Sequence, residues 1–87
     1  MVKSSITVTN ESGLHLRPAS ELTKLSHSLN SDITIIHKDQ KVNPKSVLNL
    51  MSAGITKGAT IEIRCEGESE IEDLQKLLAA IASGLGE

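Results

Sequence analysis

The sequence predicts a two-layer α/β sandwich: a four-stranded, mostly antiparallel sheet, open on one face and covered on the other by three helices, in the order β-α-β-β-α-β-α. Three observations lead there. Apolar and polar residues alternate in some segments, while in others apolar residues recur at helical spacing. The two periods take turns along the chain with no linker, repeat or low-complexity tract between them. Every clearly alternating strand has one polar face, which suits helices on one side of the sheet better than helices on both.

The elements follow in order. Residues 2–9, VKSSITVT, place Val2, Ser4, Ile6 and Val8 on one face and Lys3, Ser5, Thr7 and Thr9 on the other, as in a half-buried strand. Asn10 to Gly13 is polar and turn-like. From Leu16 the spacing becomes helical, with Ala19, Leu22, Leu25 or Ser26, and Leu29 on one stripe. Pro18 fits only in a first turn, where amides lack intrahelical partners, so the helix begins at residue 15 or 16. Residues 31–37, SDITIIH, are rich in Ile and Thr and form a second strand; KDQ is a tight turn and Lys41 to Asn43 a short third strand. Pro44 breaks the chain, Ser46 can cap a short helix from Val47 to about Ala53, and Gly54 stops it. Residues 60–66, TIEIRCE, alternate cleanly, with Ile61, Ile63 and Cys65 inward. In the last helix Ser69 and Glu72 have capping-box spacing, and Ile71, Leu74, Leu77 or Leu78, and Ile81 mark the buried stripe before Gly84.

A chain of 87 residues predicts one domain over residues 1–87 with a modest core. No aromatic residue occurs, so that core is built from Ile, Val, Leu, Ala and Met. Nine Lys plus Arg against eleven Asp plus Glu leave a net charge of -2, which argues against a nucleic-acid footprint. The lack of aromatics also removes stacking platforms for single strands. Cys65 stands alone, which excludes a disulfide framework or Cys-rich metal site and fits a reducing compartment. No signal-like or membrane-length apolar run is present, so a cytoplasmic protein is expected. His27 and His37 have no partners at ligand spacing and read as structural or exposed; neither a metal nor a cofactor is expected. No catalytic triad, acid–base pair or G-x-x-x-x-G-K loop stands out. The chain looks like a part on which other enzymes act.

The residues GLHLRPASEL, 13–22, carry the most chemistry. A helix starting beside His15 leaves the amides of Leu16 and Arg17 unpaired, in a position to bind an anion. The Arg17 guanidinium adds a charge that pairs with phosphate oxygens. An unprotonated histidine is also a competent nucleophile toward phosphorus. From spacing alone, two readings of His15 stand side by side: a phosphoryl acceptor or phosphate site, and a helix cap or surface side chain. Ser46 likewise reads as a helix cap whose modification would put a dianion at a positive helix end. Val47, Leu48 and Met51 form a candidate docking patch, with Leu50 assigned to the core.

GLHLRPAS from Gly13 to Ser20, NPKSVLNLMSAGITKGATIEI from Asn43 to Ile63 and the GLGE ending together resemble the HPr family, the histidine-containing phosphocarriers of the bacterial phosphoenolpyruvate-dependent sugar phosphotransferase system. The resemblance covers essentially the whole chain. It implies a carrier, not an enzyme, in which His15 takes a phosphoryl group on Nδ1 from phosphorylated enzyme I and passes it to EIIA domains of sugar permeases. Arg17 would then steady the phosphoryl oxygens, and Leu16, Ser20, Val47, Leu48 and Met51 would meet partners. Ser46 matches the position phosphorylated by HPr kinase/phosphorylase in some members, whose product acts with catabolite control protein A. A monomer is expected. Leu16 departs from the alanine of many members and Leu48 from a common methionine, both apolar exchanges at the contact surface. Two other classes remain open to the residues themselves: a regulatory binding protein acting through Ser46, and a small acylphosphatase-like hydrolase.

Overall fold

The structure is a computed structural model that describes all 87 residues. Its elements are β1 (Val2–Thr7), α1 (Leu16–Ser28), β2 (Asp32–His37), β3 (Gln40–Val42), α2 (Val47–Ser52), β4 (Thr60–Glu66) and α3 (Glu70–Ala82). The expected order holds. β1 stops two residues early because Val8 bonds the next loop, donating to the Ala59 carbonyl and accepting the Gly58 amide. Strand β3 is shifted by one residue because the Asn43 amide turns to the Asn49 side chain at 2.6 Å.

The four strands lie in the order β1-β4-β2-β3, and every neighbouring pair is antiparallel. β4, the last strand in sequence, therefore inserts between β1 and β2. Its inward residues are shared by both neighbours: Ile63 faces Ser4 and Ile35, and Cys65 faces Val2 and Ile33. Lys38 and Asp39 make the β2–β3 hairpin with both φ angles positive, as a two-residue turn matching strand twist requires. The outward row of β4, from Thr60 through Glu62 and Arg64 to Glu66, is polar, and Arg64 Nε donates to Glu62 at 2.6 Å.

The helices cover the other face. α1 buries Ala19, Leu22 and Ser26, with Leu29 just beyond its end. Ser26 takes the stripe position in place of half-buried Leu25, and its hydroxyl donates to the Leu22 carbonyl at 2.8 Å. α3 contributes Leu74, Leu77 and Ile81, followed by Leu85.

Two expectations for α3 fail. Ile71 is 62% exposed: it lies on the stripe margin shared with half-buried Leu78, in the first turn of the helix. The opposite margin is buried, and Asp73 occupies it. The Ser69–Glu72 capping box does not form either, because the Ser69 hydroxyl donates to Asp73 Oδ2 at 2.8 Å. The same oxygen accepts the Ser31 amide at 3.1 Å and the Ser31 hydroxyl at 2.6 Å. The charged acceptor sets the orientation of the Ser69 side chain, whose oxygen then takes no hydrogen bond from a helix amide. These bonds, the Ser31 hydroxyl's first, hold the Asp73 carboxyl below the usual carboxylate range despite its desolvation.

The loop from β1 to α1 decides where the candidate site sits. Gly13 has φ +63°, its amide donates to the Asn10 carbonyl at 2.9 Å, and the Leu14 amide donates to Ile55 at 3.0 Å. A Cβ at Gly13 would overlap the Ile55 carbonyl oxygen and lie 2.8 Å from Thr56 Cα. Gly13→Ala is therefore expected to cost about 2 kcal/mol or more, from the left-handed penalty and a forced backbone shift. Urea denaturation measures it, and an unchanged midpoint would show that the loop relaxes freely.

Candidate functional site

The site begins with the start of α1. His15 is the N-cap residue, extended at φ -74° and ψ -172°, and its carbonyl accepts the Ala19 amide at 3.0 Å. The imidazole forms no capping bond. Buried Pro18 has no N–H, and the Leu16 and Arg17 amides donate to no backbone carbonyl. The first turn carries no acidic side chain to occupy them. A patch of positive potential therefore opens beside the imidazole. Arg17 is exposed and forms no ion pair within the chain.

The ring is held from the far end of the sequence. His15 Nε2 lies 2.8 Å from Glu87 Oε2. Glu87 Oε1 accepts from Asn10 Nδ2 at 2.6 Å, and the same amide donates to the Gly84 carbonyl at 3.0 Å. The Asn10 bond first, and then the His15 bond, hold the Glu87 carboxyl below its usual value, and the Arg17 charge adds to the effect. An ionised carboxylate can only accept, so Nε2 is the nitrogen that carries hydrogen. In the neutral ring the lone pair is then on Nδ1, which has no hydrogen-bond partner in the chain.

Asn10 and Glu87 are absent from the residues singled out by sequence. The contact between His15 and Glu87 spans 72 positions, and no local pattern announces it. The GLGE ending contributes to the family resemblance but does not announce this contact.

Ser46 caps α2 as expected: its Oγ accepts the Asn49 amide at 3.1 Å. Two bonds strap α2 to the histidine half of the molecule. His27 Nε2 donates to the Lys45 carbonyl at 2.9 Å, and Leu14 donates to Ile55 beyond the helix. Leu50 is fully buried, while Leu48 is 78% and Met51 43% exposed. Val47 is half-buried against the core, so it contributes less to the candidate patch than its spacing implied. Leu16, 60% exposed, opens α1, and Ser20 is half-buried further along it. His37 lies in the inward row of β2. No helix is long and apolar enough to cross a membrane.

The family described as PTS HPr component phosphorylation site matches residues 2–83. The chain is 33% identical over 87 residues to the phosphocarrier protein HPr of Neisseria meningitidis serogroup A, covering 100% of this chain and 98% of that protein. Its fold superimposes on HPr-C-His from Thermoanaerobacter tengcongensis with a TM-score of 0.94 at 33% identity, over 100% of this chain and 98% of the other. It is also similar to Bacillus subtilis Crh, a catabolite-repression protein solved as a domain-swapped dimer, with a TM-score of 0.76, 32% identity and 97% of each chain covered.

Proposed function

The chain belongs to the HPr family of phosphotransferase-system phosphocarriers, and from that premise we propose that His15 Nδ1 accepts a phosphoryl group from phosphorylated enzyme I and gives it to EIIA domains of sugar permeases. The observation that carries this reading is the pairing of His15 Nε2 with Glu87, which leaves Nδ1 as the nitrogen with the lone pair. The attacking lone pair forms the N–P bond while the donor's bond to phosphorus breaks, its electron pair staying on the donor. Arg17 and the free amides of Leu16 and Arg17 meet the phosphoryl oxygens. The site is an open helix end in contact with solvent. Its stabilisation is modest, so the group can move on to the next acceptor.

Leu16, Ser20, Leu48 and Met51, with the edge of Val47, form the contact surface for successive partners. The Ser46 hydroxyl is the regulatory position, a target for HPr kinase/phosphorylase whose product binds catabolite control protein A. Its capping role supports this, since a phosphate there would face the first amides of α2 with little refolding. The protein acts as a monomeric carrier in the cytoplasm and is a substrate of its partner enzymes.

The test is incubation with phosphoenolpyruvate and enzyme I, followed by intact-mass measurement. The expected product carries one phosphoryl group that is labile in acid and stable in base. An unmodified mass overturns the carrier reading. Incubation with ATP and the kinase should give a separate, acid-stable adduct that is absent in Ser46→Ala.

A further inference from the structure

Phosphoryl acceptance at Nδ1 leaves a charge to be accounted for. When the neutral ring attacks, the N–P bond forms at Nδ1 while Nε2 keeps its hydrogen, so the phosphorylated ring carries a formal positive charge. No proton has to move in this step. When the group departs, the N–P electron pair returns to Nδ1 and the ring is neutral again. A ring that lost its Nε2 proton in between would be a much poorer leaving group.

We propose that Asn10 and Glu87 are a positioning pair that keeps this proton on Nε2, making His15 a nucleophile when empty and a good leaving group when loaded. The proposal rests on the carrier reading. The geometry is a continuous chain: Asn10 Nδ2 to Glu87 Oε1 at 2.6 Å, then Glu87 Oε2 to His15 Nε2 at 2.8 Å. Asn10 is 7% exposed and also grips the Gly84 carbonyl, so it fixes the turn from which Glu87 projects. The Glu87 amide closes that turn on Gly84 at 3.1 Å. A carboxylate held against one imidazole nitrogen selects the tautomer and stabilises the cation that forms during reaction. The other charges at this end are Arg17 and Glu21 on α1 and the Glu11–Lys57 pair between the loops. Among them Glu87 alone bonds the ring.

The readout is nitrogen NMR of the His15 ring in the full chain, before and after phosphorylation by enzyme I. In the free protein the neutral ring should be the Nε2–H tautomer. In the phosphorylated protein Glu87→Gln should lower the ring's titration midpoint by about one unit, tenfold in proton affinity. Asn10→Ala should give a smaller shift in the same direction. Above that midpoint, transfer from phosphorylated Glu87→Gln to an EIIA domain should slow about tenfold in kcat, with KM little changed. An Nδ1–H tautomer in the free protein, or a wild-type midpoint in Glu87→Gln, overturns the proposal. The tautomer is read without phosphorylation, so it tests the pair even if enzyme I leaves His15 unmodified, which would instead refute the carrier reading. Glu87 lies at the surface, so its variant spares the core, and the dispersion of the same spectra checks the fold of both variants.

Discussion

His15→Ala is expected to abolish the enzyme I-dependent mass gain completely, while leaving the folded state nearly unchanged. The imidazole makes no capping bond and is partly exposed, so its removal opens no cavity. The backbone bond from the Ala19 amide to the residue-15 carbonyl survives the change. No other histidine can substitute. His27 lies in the last turn of α1, away from the free first-turn amides and Arg17, and His37 is 5% exposed in the core-facing row of β2. His27→Ala should accordingly still gain one phosphoryl group. A full mass gain in His15→Ala, or its disappearance in folded His27→Ala, would move the acceptor elsewhere.

The second large effect concerns stability. Asp73 is only 3% exposed, and one of its oxygens collects three donors from Ser31 and Ser69. Those bonds tie the first turn of α3 to the residue preceding β2. Asp73→Ala leaves a buried amide and hydroxyl on Ser31 without their acceptor, so a loss of about 3 kcal/mol is expected. The sign of the pH effect follows from the lowered pKa. Asp73 binds a proton more weakly in the folded than in the unfolded chain. Its contribution is therefore present above the unfolded value of about 3.9 and lost as pH falls toward and through the folded value. Asp73→Asn, which keeps an acceptor but cannot ionise, should lose less stability than wild type over that acid window. Denaturant midpoints measured from pH 7 to pH 2 decide it; parallel curves for the two proteins would show that the charge contributes nothing.

Most of the element order was legible because its signals are short-range. Alternation in TIEIRCE marks β4, and the helical spacing from Leu16 marks α1. Pro18 confines the helix start to one place, which is why the orientation of the His15 corner could be read before any contact was known. At the α3 start Ser69 is the N-cap residue as expected, but the capping box is absent for an equally physical reason. Ser69 has two acceptable partners within reach, and spacing alone cannot show that a buried carboxylate four residues on also has Ser31 as a partner. Ile71 failed similarly: period identifies a stripe and its margins, but what covers each margin is a matter of packing.

By itself, then, the sequence determined the order of strands and helices, the place of His15 at a helix start, the Ser46 cap and the exposure of Leu48 and Met51 on α2. Tertiary structure alone decided that β4 lies between β1 and β2, that Asp73 is a buried anchor, and that Asn10 and Glu87 hold the His15 ring. The division follows the range of the forces involved. Period, caps and proline act within a few residues, whereas the ring's tautomer depends on a carboxylate 72 positions away that only the folded chain brings to it.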